Sequence, residues 1–173
     1  MFYKKKIEKA FVAYVTENQA NLYRFAYSYV KNKEDALDIV QESIRKGLCS
    51  IQNLQDEKAI KSWLYRIIIN TSIDFIRKRK KEYVVEDDTM NTIMLGEEDR
   101  YEDPDLKAAV EALPHTYKTV ITLRFFEDLK LEEIALILEE NVNTIKTRLY
   151  RALKLLRVEL DDNRMEGMHN EEN

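Results

Sequence analysis

Proline and glycine are nearly missing, with two Pro and three Gly in 173 residues. A chain so poor in breakers, with long 3.6-period apolar segments and few alternating runs, is expected to be all-α. The single cysteine, Cys49, excludes an intrachain disulfide and a cysteine-rich metal site. It is expected to be a small buried hydrophobe in a reducing compartment. No run of about 18 apolar residues occurs, and the start, MFYKKKIEKAF, carries charge without an apolar signal core. A cytoplasmic location without direct membrane insertion follows as the expectation. Also lacking are a glycine-rich phosphate loop and metal-ligand spacing. Of the two histidines, His115 follows a proline at a helix boundary and His169 lies in the tail. Glu132-Glu133 suit the first turn of a helix better than a catalytic pair. Neither an enzyme nor a cofactor is indicated.

A net charge of −4 points away from nucleic acid, but its distribution reverses that conclusion. Lys61–Lys81 holds seven basic residues against Asp74 alone, +6, and Glu82–Asp105 holds ten acidic residues against Arg100, −9. Asn143–Leu160 is +4, from five basic residues against Glu159, and Asp161–Asn173 is −4, from five acidic residues against Arg164. Two basic surfaces separated by an acidic connector are implied.

One basic surface lies in Leu131–Arg157, LEEIALILEENVNTIKTRLYRALKLLR. Ile134, Ala135 and Leu138 form one helical register; Val142, Ile145, Leu149, Ala152, Leu153 and Leu156 form a second, of which 145, 149, 152, 153 and 156 are read as inward-facing. Only Glu139-Glu140-Asn141 separates them. Ala135 supplies the small side chain that a crossing helix needs, and Asn141 and Asn143 suit the turn by capping or by tolerating positive φ. This is a helix-turn-helix. Opposite the apolar face, Lys146, Thr147, Tyr150, Arg151 and Lys154 can meet base edges, methyl groups and phosphates, with Arg148 and Arg157 placed for flanking backbone. A solvated basic face on an ordinary bundle helix is the competing reading.

The other basic surface ends a long helix expected over about Ala59–Lys81. Trp63, Leu64, Ile67, Ile68, Ile73 and Ile76 are its apolar residues; Arg66, Asn70, Asp74 and Arg77 line another stripe, followed by Lys78 and Arg79. Before it, Ile7–Val15 and Asn21–Val30 read as helices. Asn32 caps a third that carries Leu37, Val40, Ile44 and Leu48 inward and Asp35, Asp38, Gln41, Glu42 and Arg45 outward. Gly47–Lys58 reads as a loop. Two small helical domains, 1–82 and 106–160, are thus joined by an acidic linker at 83–105 containing the breakers Gly96 and Pro104, and followed by a flexible tail at 161–173. Leu106–Leu113 and Thr116–Phe126, separated by Pro114, are the helices that precede the helix-turn-helix.

Asp35-Ala36-Leu37-Asp38-Ile39-Val40-Gln41-Glu42, Trp63-Leu64-Tyr65-Arg66-Ile67 with Asn70 and Asp74, Ala112-Leu113-Pro114, Leu123-Arg124-Phe125, Glu133-Ile134-Ala135 and Thr144–Ala152 occur in this order. Together they resemble a bacterial RNA polymerase sigma factor of the extracytoplasmic-function group, over roughly Tyr14–Arg157. The resemblance implies that the first domain docks on core RNA polymerase and opens the promoter −10 region. Asp35, Asp38, Ile39, Gln41 and Glu42 would meet the clamp helices of the largest subunit, although for the polar members taken alone a merely solvated acidic face is the favoured reading. Asn70 would line a pocket for an unpaired base, with Leu54, Gln55 and Asp56 in the loop over it. Arg66, Asp74, Arg77, Lys78 and Arg79 would complete the −10 surface, its cations on the freed strand. Trp63 and Tyr65 are expected in the core or a docking surface rather than as stacking platforms.

The same resemblance assigns the −35 element to Lys146, Thr147, Arg148, Tyr150, Arg151 and Lys154. It further implies contact with the flap region of the second-largest subunit and restraint by an anti-sigma factor, often membrane-anchored. The acidic linker would lie in a basic RNA channel or serve as a solvated spacer. Lys130 offers no capping oxygen before the first helix of the motif, leaving Asp128 or solvent to satisfy it. Lys146 stands where an arginine would give a bidentate fork, which alters base preference there. The alternative function is a stand-alone regulator that binds duplex DNA as a dimer through the helix-turn-helix.

Overall fold

The computed structural model describes residues 2–83 and 103–170, which divide between two compact units with the boundary at Asn91/Thr92. The acidic run from 84 to 102 lies outside the described residues.

The N-terminal unit packs three helices against one another, α1 (Phe2–Val30), α2 (Lys33–Ser50) and α3 (Ile60–Tyr83). The two expected N-terminal helices are one, kinked at Asn18 (φ −115°, ψ 15°), whose amide donates to the Tyr14 carbonyl at 2.8 Å. Asn32 caps α2 as expected, its Oδ1 accepting the Asp35 N–H at 3.0 Å. Phe11, Leu22, Phe25, Leu64, Tyr65 and Ile68 are fully buried between the helices, and Phe25 meets Tyr65 edge-on at 4.8 Å. Buried Ser43 and Ser72 spend their hydroxyls on the Ile39 and Ile68 carbonyls of their own helices, so neither is orphaned.

The inward face of α2 differs from the expectation. Ala36, Ile39, Val40, Ser43 and Gly47 are buried, whereas Leu37 is 50% and Leu48 40% exposed. Small residues at 36, 43 and 47 form a seam along which neighbouring helices approach closely, and this turns the larger leucines outward. Gly47 therefore lies inside α2 rather than opening a loop. A Cβ there would stand 2.7 Å from Phe11 Cζ. Gly47→Ala is expected to destabilise the unit by about 1 kcal/mol in thermal melting, because overpacking of about 1–3 kcal/mol exceeds the helix-propensity gain of about 1. An unchanged or raised midpoint would show that the Phe11 ring yields freely. Cys49 is exposed, contrary to the buried position expected, since it falls outside the same seam.

In the C-terminal unit, α7 (Val142–Asn170) packs against α4 (Pro104–Ala112), α5 (His115–Ile121) and α6 (Leu131–Leu138). Pro104 starts α4 at its first turn instead of breaking the chain, with Asp103 accepting the Asp105 N–H at 2.9 Å. A π-helical turn, Thr122–Phe126, extends α5. Leu113, Ile121 and Ala152 are buried together, with Tyr117, Phe126, Leu149 and Leu156 against them. The segment expected as a tail from 161 continues α7 to Asn170.

Candidate polymerase and promoter interfaces

Two helix faces in the N-terminal unit carry the expected contact residues. On α2, Asp38 and Gln41 are exposed, while half-buried Glu42 receives two hydrogen bonds from Arg45, at 2.7 and 2.8 Å. Those bonds hold the Glu42 carboxyl below the ordinary carboxylate range. Asp35 is half-buried and ion-paired with Arg79 of α3. Ile39 is 1% exposed and belongs to the core, so its assignment to a surface contact is corrected: it shares the buried seam with Ala36 and Ser43. Leu37 and Leu48, read as core, stand instead on the outer surface with Gln41, four and seven positions from it. The small residues Ala36, Ser43 and Gly47 were the available sign of which edge faces inward.

On α3, Arg66, Asn70, Asp74, Arg77 and Lys78 are exposed and recur at helical spacing along one side. Arg79 is half-buried on Asp35. Tyr65 is 0% exposed and Trp63 is half-buried edge-on to Phe11 at 6.0 Å. Tyr65 is thus a core residue. Between α2 and α3 the chain makes two short 3-10 turns, Ile51–Asn53 and Glu57–Ala59. Gln55 and Asp56 are exposed between them and Leu54 is half-buried; Asp56 caps the second turn by accepting the Lys58 N–H at 2.9 Å. Lys6 of α1 reaches Glu57 at 3.1 Å. The exposed amide, cations and adjoining loop can hydrogen-bond an unpaired base and neutralise its backbone.

In the C-terminal unit α6, the turn and the start of α7 form the helix-turn-helix. Ala135 is 5% and Ile134 0% exposed where the helices cross, as the sequence requires. The residue with positive φ is Glu139 (56°), not an asparagine. Asn141 caps α7, its Oδ1 accepting the Asn143 N–H at 2.8 Å. The start of α6 is satisfied by Glu133, which accepts the Lys130 N–H at 2.8 Å; Asp128 instead lies 3.6 Å from Arg124. Lys146, Thr147, Tyr150, Arg151 and Lys154 lie along the outer side of α7, Tyr150 at 71% exposure. Leu153, expected inward, is 41% exposed, because Ala152 takes the buried position beside Leu113 and Ile121. Arg148 is half-buried and holds Glu140 of the turn through two hydrogen bonds, at 2.7 and 2.8 Å. In this structure it braces the turn instead of extending toward a phosphate. The outer face is a row of donors about an exposed aromatic, the chemistry that reads a major groove.

The match to known families follows this division of the chain. Residues 14–82 match the model of sigma-70 region 2, and residues 105–156 match that of sigma-70 region 4. RNA polymerase sigma factor SigV of Bacillus subtilis strain 168 is 56% identical over 158 residues, covering 91% of this chain and 95% of that protein. The chain belongs to the extracytoplasmic-function (ECF) sigma factors. ECF sigma factor SigW of the same strain is 32% identical over 174 residues, covering 92% of this chain and 93% of SigW. The fold also matches the solved structure of sigma factor RpoE in complex with the anti-sigma factor NepR from Bartonella quintana. That match has a TM-score of 0.76 and 24% identity, covering 88% of this chain and 98% of RpoE. As an ECF sigma factor, the protein directs RNA polymerase to promoters. Among the described residues, no helix is long and apolar enough to cross a membrane.

Proposed function

We propose that this sigma factor docks α2 on the clamp helices of the polymerase's largest subunit and captures the opened −10 strand with α3 and the loop before it. The C-terminal unit then reads the −35 element with α7 and meets the flap region of the second-largest subunit. The observation that carries this reading is the presence of two outward donor faces on separately folded units, Arg66–Asn70–Arg77 on α3 and Lys146–Tyr150–Arg151 on α7. Asp38, Gln41 and Glu42 are the docking residues, and the flanking Leu37 and Leu48 add apolar area. The protein itself performs no chemistry, acts in the cytoplasm, and works through base pairs it opens and phosphates it neutralises.

Run-off transcription with core polymerase, followed by start-site mapping, tests the reading. Promoter-specific transcripts are expected only when the protein is added; failure to bind core polymerase would refute it. A palindromic footprint by the protein alone would favour the stand-alone regulator. Asn70→Ala is expected to slow open-complex formation by about 10-fold, since a base-specific hydrogen bond is worth about 1–1.5 kcal/mol, while leaving polymerase binding intact. Opening at the normal rate would remove Asn70 from the base pocket.

The solved relative RpoE is held by an anti-sigma factor. An anti-sigma partner is accordingly proposed here; added to the reaction, it should suppress run-off transcription, and unaffected transcription would exclude it.

A further inference from the structure

Glu140 touches both helices of the helix-turn-helix. Its backbone N–H donates to the Ala135 carbonyl of α6 at 2.9 Å, and its carboxylate accepts both hydrogen bonds from one terminal nitrogen of Arg148, in the second turn of α7. The Glu140 and Arg148 side chains are 32% and 21% exposed, so water and salt screen this pair less than a fully exposed one. The residue before it, Glu139, stands in the left-handed region at φ 56°, which a residue other than glycine keeps only where its neighbours hold it. The ion pair closes the chain just after that strained position. Around α7, at about 100° per residue, Arg148 lies about 40° from buried Ala152 and about 160° from exposed Tyr150. Its guanidinium therefore occupies the inner flank of the helix, away from the row of donors that faces a groove.

We propose that Glu140 and Arg148 are positioning residues for −35 recognition, which together fix the angle at which α7 leaves the turn and hence the reach of Lys146, Tyr150 and Arg151 to base edges. The inference rests on the reading of α7 as the −35 reader. It takes Arg148 off the phosphate backbone and gives an acid of the turn a part in DNA selectivity. The sign of one effect separates bracing from simple electrostatics. An acid close to DNA repels phosphate, so its removal ordinarily tightens binding, whereas removal of a brace weakens it.

The test is binding of the full chain, assembled with core polymerase, to two promoter duplexes across a salt series, one cognate and one with an altered −35 element. Thermal melting of each variant is the fold control. Glu140→Gln and Arg148→Gln are each expected to lower affinity for the cognate duplex by about 1.5- to 5-fold, the range for a partly exposed ion pair. Affinity for the altered duplex and the slope of log affinity against log salt should stay at their wild-type values, so selectivity falls by the same factor. Combining the two substitutions should cost no more than either alone, because both remove one interaction. A gain in affinity on Glu140→Gln, or a slope shallower by about 0.9 in Arg148→Gln, would overturn the bracing and make Arg148 a phosphate contact. Wild-type selectivity in both folded single variants would overturn it too. So would an equal loss on both duplexes, or melting of both variants below the assay temperature, either of which would make the pair a structural tie. If any of these comes with a normal wild-type preference for the cognate duplex, only the bracing falls. If the wild-type assembly binds both duplexes alike, the −35 reading of α7 falls with it.

Discussion

Replacing Lys146 and Arg151 together with alanine is expected to lower transcription from a −35-dependent promoter by between about 30- and 20,000-fold. Removing a side chain that hydrogen-bonds a base edge in the major groove costs about 1–3 kcal/mol, and every 1.4 kcal/mol is a factor of ten. The two residues stand about 140° apart around α7, so they reach different base pairs and the two effects should nearly add. Both side chains are exposed, and alanine favours helix, so the unit should melt as before. The measurement is run-off transcription from a cognate promoter and from one with an altered −35 element. Base readout predicts that discrimination between the two templates collapses. An equal reduction on both templates, with a shallower salt dependence, would reassign the residues to phosphate. Undiminished −35 selectivity would remove them from the interface.

Tyr65→Ala should unfold the N-terminal unit near physiological temperature. Truncating a fully buried aromatic costs about 3–5 kcal/mol, and a unit of this size is stabilised by only about 5–10. A midpoint lower by roughly 15–30 °C is expected in calorimetry, and polymerase binding should disappear with it because α2 and α3 both rest on this core. Tyr65→Phe keeps the ring on Phe25 and should recover most of the stability. A stable, polymerase-competent Tyr65→Ala protein lacking only strand capture would instead make Tyr65 a base-stacking residue, against its complete burial.

Much of this molecule was legible in the chain because it depends on local physics. The scarcity of Gly and Pro and the 3.6-residue periodicity required helices. Asn32 marked the start of α2, the charge blocks separated two basic surfaces, and Ala135 with the short turn marked the helix-turn-helix. The outer faces of α3 and α7 fall where their polar residues recur, because those positions point away from the neighbouring helices of each unit. The family resemblance rested on the same residues and extended their meaning to polymerase and promoter.

What the chain did not disclose depends on neighbours distant in sequence. Periodicity establishes an apolar stripe but not which of its edges is covered. Packing against α1 and α3 chose the small seam of Ala36, Ser43 and Gly47, leaving Leu37 and Leu48 outside and Ile39 within; around α7 it chose Ala152 over Leu153. The turn placed its positive φ on Glu139 because the chain reverses there, whatever the intrinsic preference of the nearby asparagines. Arg148 and Arg79 looked alike as surface cations, yet each found an acid, Glu140 across the turn and Asp35 on another helix. Charge and period are written residue by residue, whereas burial edge and ion-pair partner are properties of two surfaces meeting, and only the folded chain brings those surfaces together.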